Sequence, residues 1–151
     1  MQCSVERLVS APCEIVFAVA SDIPRWPEVV SSIDRVEMLT PGPVAAGSRF
    51  RETRRMFGRA ATEEMTVSEL MPPQRLVLTA ENHGTRYRAE HIFVRAHNAT
   101  RLTIIFSGEP MSLFARLMSP LGWLMSGHLK KQLEADLDDL KRAAEGRAHD
   151  H

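Results

Sequence analysis

The chain has 151 residues, 44% of them hydrophobic and 25% charged, which is enough apolar material for one core and too little for two. Nineteen basic residues balance nineteen acidic ones, so there is no whole-molecule field to draw in nucleic acid. The two cysteines, Cys3 and Cys13, make neither a disulfide framework nor a four-ligand zinc site.

Cys3 to Val9 reads as a first strand. Ser10 is placed to accept hydrogen bonds from the free amides of a helix start, and Pro12 lacks the N–H that would be orphaned there. Ile15, Val16 and Val19 then recur at helical spacing. Asp22 offers a cap for a second, very short helix, which Pro24 enters and Pro27 keeps from running far. Six strands at hairpin spacing are expected next: Ile33 to Leu39, Gly47 to Phe57, Ala60 to Leu70, Arg75 to Glu81, Thr85 to Arg95 and Thr100 to Ser107. Turn-forming residues separate them, among them Pro41-Gly42-Pro43, Gly58-Arg59 and Asn82-His83-Gly84. Connections this short make the neighbours antiparallel, since parallel pairing needs long crossovers.

From Met111 the period changes to three or four. Leu113, Leu117, Leu121 and Leu124 form one helical stretch, and Leu129, Leu133, Leu137 and Leu140 form another. The second leaves Lys130, Lys131, Glu134, Asp138, Asp139 and Lys141 to water. The first contains Pro120 and Gly122, which predict a break near Ser119. Its methionines, Met111, Met118 and Met125, suit either an adaptable gate or the packed start of a helix. The apolar run Met111 to Met125 is interrupted by Arg116 and Pro120 and is shorter than the roughly 20 residues of a membrane span. With almost no polar face, it is expected to pack inward, onto a membrane surface, or onto a partner such as a second copy in a homodimer. No basic leader precedes an apolar run, so a cytoplasmic protein is expected, with one domain over 1–146 and a disordered tail over 147–151.

The run Ser10 to Val29, two clipped helices straight after a first strand with Trp26 between Pro24 and Pro27, resembles the opening of the START-like superfamily (SRPBCC proteins). The likeness is greatest to its polyketide cyclase/dehydrase branch. The resemblance implies an α+β helix-grip fold: a curved seven-stranded antiparallel sheet wrapped around a long C-terminal helix, with two short helices after strand 1. It also implies an apolar cavity between sheet and helix. Aromatase/cyclases of that branch orient a poly-β-keto chain with a tyrosine shortly after the Trp-Pro motif and an arginine on a central strand. Ile33 and Val67 stand at those positions here, so both polar handles are replaced by apolar side chains.

Strand parity assigns the cavity face, because alternate residues point the same way. Phe93 inward brings Tyr87, Ala89 and His91 with it; Leu102 brings Ile104 and Phe106. Phe50 inward brings Glu52, Arg54 and Met56, and sends Arg49, Arg51 and Arg55 to solvent. A bulge would invert the faces beyond it. The expected ligand contacts are Phe50, Glu52, Met56, Phe93, Leu102, Ile104 and Phe106 from the sheet, with Leu117, Leu121 and Leu124 from the helical run. His91 is the candidate acid/base, since an imidazole titrates near pH 6.5; the alternative is a sheet histidine that only bonds a neighbour. Tyr87 or Arg54 would polarise a carbonyl. Burying Glu52 or Arg54 alone would be costly, so the two are expected to pair or to sit at a rim.

There is no HExxH, no metal-spaced Cys/His cluster, no phosphate loop and no GxSxG elbow, so neither metal nor cofactor is expected. Three function classes stay open: binding of a small hydrophobic molecule (polyketide, lipid or isoprenoid-like), polyketide cyclase/dehydratase-like catalysis in the same cavity, or protein interaction by a domain with a closed cavity.

Overall fold

The alternation of the sequence folds into seven strands: β1 (Gln2–Val9), β2 (Ile33–Met38), β3 (Arg49–Met56), β4 (Arg59–Met71), β5 (Arg75–Asn82), β6 (Thr85–Ala96) and β7 (Ala99–Pro110). The helices are α1 (Cys13–Ser21), a 3-10 turn (Ile23–Arg25), α2 (Trp26–Val29), α3 (113–117) and α4 (Ser126–His149). The structure, a computed structural model, describes residues 1–56, 58–117 and 126–150. The strands form one curled antiparallel sheet in the order β1-β7-β6-β5-β4-β3-β2. The chain leaves edge strand β1, runs through α1, the 3-10 turn and α2, and re-enters at the opposite edge, β2. With α4 lying against the sheet, this is the helix-grip arrangement expected from the sequence.

Register explains why parity works where it matters. β3 and β4 pair without interruption from Arg49↔Thr66 to Met56↔Arg59, and β6 and β7 from Thr85↔Pro110 to Ala96↔Ala99. The register shifts fall elsewhere, between Val67 and Glu69 on β4 and between Ile33 and Arg35 on β2. Phe50, Glu52, His91, Phe93, Leu102 and Ile104 are accordingly buried, while Arg49, Arg51 and Arg55 are exposed. Those arginines meet carboxylates on the outer face: Arg49 with Glu64, Arg51 with Glu37 and Arg55 with Asp34.

The helix starts differ from expectation. The chain bends at Ser10 and Ala11 and the capping position falls on Pro12, which leaves Ser10 two residues upstream of it. No side chain caps α1; the Ser10 N–H instead donates to Glu145 Oε2 at 2.8 Å. Asp22 precedes the 3-10 turn and likewise makes no side-chain cap.

The helix pair plugs one end of the sheet. Trp26 Nε1 donates to the Ala20 carbonyl at 3.0 Å, and its ring meets Phe50 edge-on at 5.5 Å. Phe17 meets Phe93 in the same way at 5.1 Å. Along α4, Leu133, Leu137, Leu140 and Ala144 are buried against the sheet and α1. Fully burying one leucine contributes about 1.5–3 kcal/mol, so this stripe is the main hold on the helix.

Several α4 groups expected to face water in fact tie it down. Arg7 on β1 pairs with Glu134 at 3.3 Å and Asp138 at 2.8 Å. Lys141 donates to the Leu8 carbonyl at 2.6 Å, and Asp139 accepts from the Ser31 N–H and hydroxyl. α4 also continues through Arg147 to His149, with Ala148 against the core, so 147–149 is helix rather than a disordered tail.

Candidate functional site

Between the inner face of the sheet and α4 lie two contiguous chambers, of about 160 Å³ and about 280 Å³. Met56, Glu63, Met65, Leu78, Ala89, Phe106 and Leu129 belong to the walls of both. The smaller, inner chamber is completed by apolar groups that include Trp26, Ile33, Ile104, Leu133 and Leu140, and by Glu52, Arg54, His91, Gln132 and Asp136. The outer one adds Met1, Thr79, Ala80, Tyr87 and His128. An apolar wall with a few grouped polar side chains is the usual composition of a small-molecule site.

The polar end of the inner chamber is an ion cluster. Arg54 donates to both oxygens of Glu52, Nε to Oε2 at 3.2 Å and Nη2 to Oε1 at 3.1 Å, and from Nη1 to Asp136 Oδ2 at 3.0 Å. The other Asp136 oxygen accepts from the Ser32 hydroxyl at 3.0 Å. Glu52 is only 3% exposed. Burial pushes its carboxyl above the ordinary range; Arg54 only partly offsets this, and Asp136 and Glu63 add to the rise. Asp136 is raised for the same reason, with Arg54 and the Ser32 hydrogen bond opposing. Burial works against the Arg54 charge as well, but its two carboxylates more than compensate and raise its pKa. Two carboxyls thus share one guanidinium out of water, which leaves an excess of acidic groups in the cluster. Beside them, Glu63 accepts a hydrogen bond from Asn82 Nδ2 at 3.2 Å.

His91 sits in the same wall on β6, between Ala89 and Phe93 on the inner face. It is 8% exposed and its Nδ1 has no hydrogen-bond partner among the described residues. Burial pulls its pKa down to about 4, with the backbone at Leu76 and Ala89 offsetting only part of the effect. At neutral pH it is therefore an uncharged imidazole. Tyr87 stands over Phe106, ring centroids 5.8 Å apart, in the outer chamber.

The expected site residues divide into three groups. Glu52, Arg54, His91, Ile104, Met56 and Phe106 are brought together around the inner chamber, and Tyr87 joins Met56 and Phe106 at the outer one. Phe50, Phe93 and Leu102 face inward as expected but do not line either chamber. Trp26 covers Phe50 and Phe17 covers Phe93, so the helix pair turns that part of the inner face into solid core. Leu117 on α3 is 70% exposed and stands with exposed Met111, Leu113 and Phe114, not on the cavity wall. Leu121 and Leu124, with Pro120, Gly122 and the break near Ser119, lie outside the described residues.

Asp136 was missed by sequence reasoning, though a signal was present. It lies three residues after Leu133 and four before Leu140, which places it on the buried face of α4. Among the described residues no three His, Cys, Asp or Glu side chains converge in a set able to hold a metal ion. Nor, among them, is any helix long and apolar enough to cross a membrane.

A curled antiparallel sheet that grips one long helix around a lined cavity places the molecule among START-like folds. The chain belongs to the family described as polyketide cyclase / dehydrase and lipid transport, whose model matches residues 2–145. No curated protein matches it by sequence. Similar solved structures include the two-domain aromatase/cyclase StfQ of the steffimycin biosynthetic pathway, with a TM-score of 0.80 at 16% identity over 98% of this chain and 52% of that one. The Zhui aromatase/cyclase of Streptomyces sp. R1128 superposes with a TM-score of 0.73 at 18% identity, over 97% of this chain and 94% of that one. A START superfamily protein of Mycobacterium smegmatis gives 0.68 at 17% identity, over 99% and 97%. At these identities the likeness is one of fold.

Proposed function

We propose that the protein binds a small, largely apolar molecule in the two chambers, with its polar end at the Glu52–Arg54–Asp136 cluster and its apolar body toward Tyr87 and Phe106. The observation that carries this reading is the pairing of apolar chamber walls with one grouped set of buried charges. The family description, polyketide cyclase / dehydrase and lipid transport, together with the aromatase/cyclase neighbours, supports a polyketide- or lipid-like ligand class; an isoprenoid fits the same apolar walls. The test is displacement of a neutral fluorescent probe, Nile red, by lipid and polyketide extracts, with bound species identified by native mass spectrometry. Ala89 lies in the wall of both chambers, so Ala89→Trp should fill them and abolish probe binding while far-ultraviolet circular dichroism stays native. Unchanged probe binding in a folded Ala89→Trp protein would place the ligand elsewhere.

A second reading, cyclisation or dehydration of a polyketide-like substrate, is favoured by His91. Its unprotonated imidazole stands in the chamber wall and can accept a proton there, as a weak base with a pKa of about 4. Arg54 and Tyr87 would orient carbonyls of the substrate, and most of the rate gain would come from folding a flexible chain into a reactive geometry. If His91→Ala leaves turnover of every candidate substrate unchanged, this second reading fails.

A further inference from the structure

We propose that the inner chamber selects a ligand whose polar end is an amine, bound as a hydrogen-bond-donating cation, and discriminates against carboxylic acids. This rests on the binding function proposed above and narrows it to a ligand class.

The balance of charge in the wall carries the inference. Among the described residues the inner chamber presents three carboxyl groups, Glu52, Glu63 and Asp136, against one guanidinium, Arg54. Arg54 has already engaged two of the three, through all three of its nitrogens. Among the described residues Glu63 has only the neutral amide of Asn82. His91, buried in the same wall with Nδ1 unpartnered, adds no positive charge at neutral pH. The described carboxyls do not converge as a metal-ligand set, which favours an organic cation. An incoming carboxylate would add a further negative charge where the one cation is already engaged by two of three acidic groups. An alcohol offers one donor. An ammonium offers three, and its positive charge meets the crowded carboxyl groups in charge-assisted hydrogen bonds.

The test uses the full chain and a matched series of decylamine, decanol and decanoic acid, each kept below its micelle concentration, displacing Nile red at pH 7. The expected order is decylamine at an about tenfold lower concentration than decanol, with decanoic acid the weakest. Glu63→Gln should bring the amine down toward the alcohol, narrowing the ratio between the two; should that variant not fold, the wild-type order alone decides. If decanol and the probe bind but decylamine gains nothing over decanol, or decanoic acid binds best, the amine proposal falls and the cavity reading stands. If neither probe nor decanol binds, the cavity reading falls with it.

Discussion

Replacing Arg54 with Met should uncover the electrostatic debt inside the cavity. The substitution roughly keeps side-chain length but leaves Glu52, at 3% exposure, and Asp136, at 8%, without their shared cation. Removing one partner of a buried pair typically costs about 3–5 kcal/mol. Set against a total stability on the order of 5–15 kcal/mol for a domain of this kind, that is a large fraction. Urea unfolding followed by tryptophan fluorescence should show the midpoint falling by about 2 M, for a slope of about 2 kcal/mol per molar. The sign with pH is also determined. Both carboxyls are held above their ordinary range, so each contributes stability at acidic pH that is lost as pH rises through its folded value. Without Arg54 they rise further, so the deficit of Arg54→Met is greatest near pH 8 and shrinks toward pH 4. Replacing all three charges with apolar groups, Glu52→Leu, Arg54→Met and Asp136→Leu together, should recover most of the loss, as buried ion clusters often allow. A deficit below about 1 kcal/mol that does not vary with pH would show that water reaches the cluster and would refute the burial on which the reasoning depends.

His91 should behave in the opposite sense. Its folded pKa near 4 lies below the value of about 6.5 for a free imidazole, so the wild type loses about 3 kcal/mol as pH falls through that window. His91→Phe should lack this loss, read as the stability difference from wild type between pH 7 and pH 4; a constant difference would contradict the buried neutral imidazole. In the β5–β6 turn, Gly84 has φ +74°, and an added Cβ would lie 2.5 Å from Ser112 Oγ. Gly58 has the same φ, and no described residue beyond its chain neighbours lies within 4 Å of an added Cβ. Gly58→Ala should therefore show only the left-handed backbone penalty of about 1–2 kcal/mol, and Gly84→Ala measurably more; equal losses would rule out the steric contact.

The fold was legible because its signals are local. Alternation within β3, β6 and β7 and the Gly and Pro residues between strands needed no knowledge of the rest of the chain. The uninterrupted registers of those strands then kept the inward face true from end to end. The Glu52–Arg54 pair followed from the same parity. What could not be read was the division of that face into core and cavity, because Phe50 and Phe93 differ from Met56 and Phe106 only in being covered by Trp26 and Phe17. That is a tertiary fact. Asp136 was a different kind of miss: it shares the α4 stripe with Leu133 and Leu140, and its charge concealed a position its spacing had disclosed. The caps at Ser10 and Asp22 failed because helix starts depend on one or two residues of backbone path, which composition does not determine.

Methyl-labelled methionine gives the most direct reading of where a ligand goes. Met56 and Met65 line both chambers, whereas Met71 and Met111 are about half exposed on the surface. Titrating decanol into the protein while recording methionine methyl resonances should shift Met56 and Met65 saturably and leave Met71 and Met111 in place. Saturable shifts at Met111 or Met71 with Met56 and Met65 unmoved would contradict the cavity as the binding site.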